Sequence, residues 1–431
     1  MNIPLIEQLL PEHIEAYQAK RLRELMAYLD ERSPFYRRKF RQEGIDPARI
    51  RQVSDLSRIS VTTKDDLQQY NEEFWCVPRQ EIVDYVCTSG TLGTPVTVVL
   101  TDNDLKRLAY NEYLSLGCAG GGPDETYQLT TTIDRRFMAG MAYFMGARQL
   151  GAGIIRVGSG VPGMQWDTIH RLRPTALIGV PSFFLKLLDY AETSGIDPGA
   201  SSVRKLICIG EGVRRSDFSL SSLGQRLHDG WGLPLFASYA STEMGASFTE
   251  CEHGRGGHHH PELLIVELLD ENDRPVAPGQ PGELTITTLG VEGMPLLRFK
   301  TGDVCVAHTE PCACGRSTMR LGPLTGRKQQ MLKFKGTTLY PQAIYDALNT
   351  VKSVKNYVVE AFSNSLNTDE VVVHVGSDEP SETFVPSLQE HLRAKLRVML
   401  PVRQNTVEHI HRIQFPENAR KPILFIDRRA S

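Results

Sequence analysis

The sequence predicts an α/β fold: a large N-terminal domain of parallel βαβ units carrying a small antiparallel β-barrel, then a small α+β domain. Three observations predict it. Short apolar runs alternate with helical stretches from about residue 82 to 300, the pattern of buried parallel strands linked by helices. The pattern then changes over 262–308, where strand-like runs are separated by tight turns. Composition shifts again at Gly326-Arg327, leaving roughly 100 residues, a reasonable small domain. Domain limits of 1–326 and 327–431 follow, with the barrel part at about 262–325.

Residues 6–42 have helical spacing, with Leu22, Leu25, Met26 and Leu29 on one face. Ile82–Val86 and Val96–Leu100 read as strands on either side of a loop. Ala176–Val180 precedes a helical stretch, Phe183–Tyr190, and Lys205–Ile209 precedes a helix near 216–229. Leu263–Leu269, Gly282–Thr288 and Val304–Ala307 read as antiparallel strands, with turns at Glu271–Asp273 and Pro278-Gly279. Beyond Gly326 the order is strand at Met331–Phe334, helix at Pro341–Val351, strands at Tyr357–Glu360 and Val371–Val375, helix near 385–397 and one final strand.

A chain of 431 residues with 41% hydrophobic content can bury more than one core. Its formal charge of −3 argues against nucleic acid as a partner, since no basic excess exists to neutralise phosphates. No apolar run of about 18 residues occurs, so no membrane span is expected. The eight cysteines sit mostly singly in apolar surroundings, which fits free thiols in a reducing, cytoplasmic setting. A homodimer is compatible with these features.

The loop Thr88-Ser-Gly-Thr-Leu-Gly-Thr-Pro95 offers hydroxyls and free N–H groups to phosphate oxygens, and an unliganded polar hairpin would read the same way. It lacks the Gly-Lys-Ser/Thr of a Walker loop. Further along stand Gly210-Glu211-Gly212, Ser238-Tyr239-Ala240-Ser241-Thr242-Glu243, Arg298-Phe-Lys-Thr-Gly-Asp303, Gly326-Arg327 through Lys335-Gly336, and Arg420-Lys421. In this order the segments resemble the phenylacetate–CoA ligase branch of the adenylate-forming enzymes, over about residues 30 to 429. The chain departs from that pattern at Thr94, where Lys is usual before the proline, at Ala240 in place of Gly, and at Gln329-Gln330, where relatives commonly carry Asp in the hinge.

The resemblance implies ATP-dependent activation of an aryl or arylacetic acid to an acyl-adenylate, then transfer to coenzyme A with release of AMP. It implies a mobile C-terminal domain turning near Lys328–Gln330. Ser89, Gly90, Thr91 and Gly93 would meet the phosphates. Gly210, Glu211, Gly212, Ser238, Tyr239, Ser241 and Thr242 would lie on the adenine side, and Asp303 and Arg327 at the ribose. Glu243 would hold Mg²⁺, Lys421 would serve adenylation and Lys335 the thioester step. The first step joins two anions, so it needs cations, donors and positioning rather than a nucleophilic side chain. Phe137, Met138, Met141, Tyr143 and Phe144 are apolar enough to receive an aromatic ring, and equally suited to ordinary core.

A second constellation is chemical. Cys251 is followed by His253, His258, His259 and His260, and later by Cys312-Ala-Cys314-Gly315. Three thiols and one histidine make a tetrahedral Zn²⁺ set with no open position, hence a structural one. The two segments flank the antiparallel region, whose hairpins could bring its ends together. His258 matches a position seen in relatives, with His253 and His260 in reserve. A redox dithiol, or unrelated buried thiols beside a solvated histidine run, would leave the same pattern. Two other readings of the whole chain stay open: an adenylating enzyme with a different acceptor, and a zinc-stabilised nucleotide-binding interaction protein with degraded catalysis.

Overall fold

The computed structural model describes residues 3–88, 96–334, 337–364, 369–416 and 422–429. Two compact units divide the chain, one of residues 1–220, 224–301 and 305–324, the other of 221–223, 302–304 and 325–431.

In the first unit α1 (Pro11–Arg32) and α2 (Pro34–Glu43) open the chain. Leu22, Leu25, Met26 and Leu29 are buried, as their spacing requires. The Ser33 hydroxyl caps α2 by accepting from the Tyr36 N–H, and Gly44 ends it in the left-handed conformation. After α3 (Lys64–Gln69), β1 (Asp84–Cys87) and β2 (Thr97–Leu100) pair as an antiparallel hairpin. Helix α4 (Asp102–Cys118) begins with a capping box, in which Thr101 and Asp104 each accept the other's backbone N–H.

The parallel sheet follows as β3 (Thr126–Leu129), α5 (Met138–Leu150), β4 (Gly153–Arg156), α6 (Pro162–Leu172), β5 (Ala176–Gly179), α7 (Pro181–Ser194), β6 (Lys205–Ile209), α8 (Ser222–Trp231) and β7 (Leu235–Ser241). Its order is β4-β3-β5-β6-β7, all parallel. Every residue of β5 and β6 is buried, because helices cover both faces. Alternate side chains serve different cores. Leu177, Leu206 and Cys208 pack with α6, α7 and α8. Ala176, Ile178, Ile207 and Ile209 pack with α4 and α5. The chain runs outward from β3 to β4 and returns to β5 on the other side of β3. The strand order therefore reverses between β3 and β5, where open α/β sheets place ligands outside the carboxyl ends of the strands. Gly146 lets α5 lie close on α4, since a Cβ there would stand 2.3 Å from the Glu112 Cβ.

The sheet continues antiparallel through β8 (Ala246–Glu250) and β9 (Gly257–His258). Strands β10 (Leu264–Leu269), β11 (Pro281–Thr288) and β12 (Phe299–His308) form the antiparallel region, joined to β9 through β13 (Arg320–Leu321). The expected helix near 216–229 begins only at Ser222. Asp217 accepts from the Ser219 N–H and hydroxyl, Phe218 takes φ +68°, and Arg214 bridges Leu220, so a turn consumes those residues.

In the second unit β14 (Gly326–Arg327) pairs with Asp303-Val304, and β15 (Leu332–Phe334) pairs with β16 (Thr337–Leu339). Then come α9 (Pro341–Asn349), β17 (Asn356–Ser363), β18 (Asp369–Gly376), α10 (Ser381–Leu396), β19 (Val402–Asn405), α11 (Val407–Gln414) and β20 (Phe425–Arg428). The sheet order is β19-β18-β17-β20. The sequence reading gave one strand where β19, α11 and β20 stand. No helix among the described residues is long and apolar enough to cross a membrane.

Candidate functional site

Strands β6 and β7 are parallel neighbours with Ile209 opposite Ser238. The register sets two motifs side by side at the carboxyl edge, Gly210-Glu211-Gly212 after β6 and Tyr239 onward in β7. Gly210 turns the chain with φ +76°, a conformation that favours glycine. The Glu211 carboxylate accepts from the Ser182 N–H at 2.8 Å and its hydroxyl at 2.9 Å, so it ties the turn to the first turn of α7. A Cβ on Gly212 would meet nothing within 4 Å. Ser238 and Thr249 share a hydroxyl hydrogen bond of 2.7 Å, and Tyr239 lies 6.2 Å from the Phe248 ring. The Ser241 hydroxyl accepts from the Met244 N–H. Thr242 and Glu243 line a small cavity together with Val98, Arg107 and Met138.

Ser89, Gly90, Thr91, Gly93 and Thr94 lie outside the described residues, as do Lys335, Gly336, Arg420 and Lys421. The base of the 88–95 loop is described. The Thr88 N–H donates to the Val96 carbonyl at 3.0 Å, and the Thr88 hydroxyl accepts from the Val96 N–H at 3.1 Å. In the second unit Asp303 stands opposite Arg327 across β12 and β14, and its carboxylate takes the Arg327 Nε at 3.2 Å. Lys328–Gln330 form one short 3₁₀ turn.

The residues named for an acyl pocket divide. Met138 and Tyr143 are buried, Phe137 and Phe144 are half-buried, and Met141 is exposed. The Tyr143 hydroxyl bonds Ser238, and burial pushes its pKa well above the usual phenol value. Glu112, whose charge also bears on Tyr143, is buried, and burial lifts its carboxyl to about 8 against opposing hydrogen bonds from Asn111 and Ser247. Nothing in the local sequence around Glu112 marks it, because beside the adjacent Asn111 its partner is Ser247 from β8.

The cysteine–histidine constellation closes. Strand β9 pairs with β8 on one side and β13 on the other, and β13 returns to β12. These short ladders bring Cys251, His258, Cys312 and Cys314 together with their ligand atoms within 4.8 Å of one another. Cys251 Sγ to Cys312 Sγ is 3.7 Å, and Cys314 Sγ to His258 Nε2 is 3.5 Å. Tetrahedral coordination with bonds of about 2.3 Å to sulfur and 2.05 Å to nitrogen requires separations of about 3.8 and 3.6 Å. A disulfide would need about 2.05 Å. The Cys312–Cys314 turn is closed by the Gly315 N–H to the Cys312 carbonyl, with Gly315 at φ +94°. Burial, then the nearby Arg316, lowers His258 to about 3, which keeps the imidazole neutral and able to ligate. Burial raises Cys251 to about 12. Burial also acts upward on Cys314, but the Arg316 N–H and guanidinium outweigh it and leave the thiol lowered.

The other histidines are engaged elsewhere. His253 lies beside Glu252 near the surface, and His259 bonds the Leu264 carbonyl at 2.7 Å. His260 Nδ1 meets Glu7 Oε1 at 2.6 Å, while Glu7 Oε2 takes Arg316 Nε at 2.6 Å. Glu7 is wholly buried. Its partners are some 250 and 300 residues away in sequence, so local pattern could not single it out.

Comparison with known proteins gives the family and the fold. The family model described as AMP-binding enzyme matches residues 41–293. A phenylacetate–coenzyme A ligase of Thermus thermophilus is 31% identical over 385 residues, covering 88% of this chain and 85% of that protein. One from Pseudomonas putida is 30% identical, covering 84% and 81%. The fold is that of a solved 2-hydroxyisobutyryl-CoA ligase, with a TM-score of 0.84 at 22% identity, covering 99% of this chain and 94% of that one. With the family model covering more than half of the chain and these relatives aligned over most of it, the chain belongs to the phenylacetate–coenzyme A ligase family of AMP-binding enzymes.

Proposed function

We propose that the protein is an AMP-forming acid–CoA ligase whose substrate is an aryl or arylacetic acid. The observation that carries the reading is the parallel register of β6 and β7, which sets Gly210–Gly212 beside Tyr239 at the carboxyl edge of the sheet. The phenylacetate–CoA ligases among its relatives support the acid class.

A carboxylate oxygen attacks the α-phosphorus of ATP, giving acyl-adenylate and pyrophosphate; the CoA thiol then attacks the acyl carbon and AMP leaves. Gly210–Gly212 and Tyr239 receive the adenine, with Ser238, Ser241 and Thr242 beside it. Glu211 holds the turn in place through its bonds to Ser182. Asp303 accepts from the ribose, and Arg327 fixes the orientation of its carboxylate. Ser89, Gly90, Thr91 and Gly93 cradle the phosphates. Glu243 is the oxygen ligand suited to Mg²⁺, which supplies charge neutralisation at the phosphates. Lys421 supplies positive charge where acid meets phosphate, and Lys335 serves the thioester step after a turn of the C-terminal domain near Lys328–Gln330. Cys251, His258, Cys312 and Cys314 fit one structural Zn²⁺, on the separations given above. Eight free cysteines suit a reducing, cytoplasmic setting.

The test is acid-dependent pyrophosphate exchange, followed by AMP release with and without CoA, across a panel of aryl, arylacetic and short aliphatic acids. Exchange with an aromatic acid and CoA-dependent AMP release are expected. Absence of exchange with every acid overturns the ligase reading, and exchange without CoA dependence moves the acceptor elsewhere.

A further inference from the structure

The loop from β3 into α5 carries Asp134-Arg135-Arg136, all three exposed. Arg135 and Arg136 both have φ +57°, two consecutive left-handed residues with side chains. That conformation disfavours any residue with a Cβ, and glycine would occupy it without strain. Asp134 is held by the Thr132 hydroxyl. Among the described residues neither guanidinium has a hydrogen-bonding or ion-pair partner. Solvation alone asks for no such backbone; the chain holds two charges in a strained place.

The place is defined by three contacts. The Arg136 carbonyl accepts from the Cys87 N–H at 3.0 Å, one residue before the hydroxyl-rich loop opens at Thr88. Met138, two residues further, shares a small cavity with Thr242 and Glu243. The loop also leaves the carboxyl end of β3, beside the point between β3 and β5 where strand order reverses. The base of the 88–95 loop at Cys87, the proposed magnesium ligand and the two arginines thus converge on one edge of the sheet.

We propose that Arg135 and Arg136 form a phosphate-recognising pair of the ligase site, binding either the β,γ-phosphates of ATP or the phosphates of coenzyme A. A guanidinium fork matches phosphate geometry in a way a single lysine does not. The pair also supplies positive charge near a loop that carries Thr94. The inference rests on the ligase reading.

The experiment uses the full chain with Arg135→Gln, Arg136→Gln and the double variant. ATP, CoA and the acid are varied in turn in the AMP-release assay, and ATP, AMP, CoA and dephospho-CoA are titrated by calorimetry. Loss of a charge-assisted contact of this kind weakens binding by about tenfold or more. The double variant should show that loss for ATP with AMP unchanged, which assigns the pair to the polyphosphate, or for CoA with dephospho-CoA unchanged, which assigns it to the 3′-phosphate. Arg136→Gly keeps the backbone shape and removes the charge; it should raise the thermal midpoint while weakening the same ligand, which separates binding from misfolding. Changes under about twofold for both ATP and CoA overturn the pair, as does an effect confined to the acid. A parent protein that is active beside unaffected variants removes only the pair. A parent that binds neither ATP nor CoA removes the ligase reading and the pair with it.

Discussion

Glu7→Gln replaces a buried carboxylate with an amide of nearly the same shape. In the parent, Glu7 is wholly buried between His260 and Arg316, whose side chains are 2% and 7% exposed. The amide keeps one acceptor and removes the charge, so the Arg316 guanidinium stays buried without its counterion. Breaking a buried pair from one side destabilises by about 3–5 kcal/mol, because the remaining charge is desolvated and uncompensated. Arg316→Met removes the other charge with an apolar side chain of similar length, and the double variant should recover a large part of the loss. Urea unfolding followed by tryptophan fluorescence would measure the cycle. A pH series gives an independent reading. Burial acts to raise the Glu7 pKa, but His260 and Arg316 outweigh it, so the folded value lies below the ordinary one. For a depressed acid the stabilisation is complete above the unfolded pKa and is lost as pH falls through the folded one. The parent should therefore lose stability as pH drops below about 4.5, and Glu7→Gln should be flatter there. A cost for Glu7→Gln under about 1 kcal/mol, or strict additivity with Arg316→Met, would refute the argument.

Three further outcomes are expected. Protein purified without added metal should contain near one zinc per chain by elemental analysis, and Cys312→Ser should lower that content; full retention in both Cys312→Ser and Cys314→Ser would remove the metal assignment. Asp303→Ala should weaken AMP binding by roughly 10- to 150-fold through loss of a charged acceptor, and unchanged affinity by calorimetry would place the ribose elsewhere. Lys421→Ala should abolish most acid-dependent pyrophosphate exchange while still converting supplied acyl-adenylate to thioester; intact exchange would make Lys421 an ordinary surface charge.

Much of the fold could be read along the chain because its signals are local. The runs Ala176–Val180 and Lys205–Ile209 are uniformly apolar because both faces of their strands are covered. The cysteine–histidine set was legible because ligand chemistry restricts residue type, although its closure depends on ladders only two residues long at β9 and β13. What escaped has its cause in distance. Glu7 and Glu112 owe their burial to partners contributed by remote segments, and β19, α11 and β20 are too short for periodicity to separate. The turn at Asp217–Ser219 delayed α8 through side-chain bonds that compete with helix formation.

The alternating allegiance of β5 and β6 limits where this protein can change. A side chain there answers to the α6–α8 core or to the α4–α5 core, and neighbouring positions answer to opposite ones. Enlarging a residue such as Ile178 or Ile207 pushes on packed helices rather than on solvent, and shrinking it opens a void. The strands therefore have no permissive side from which to adjust a substrate. Freedom lies beyond their carboxyl ends, in connections such as residues 215–219 after β6, which are exposed or half-buried. Retailoring the acid specificity is a task for the connections, with the sheet serving as an unchanging jig.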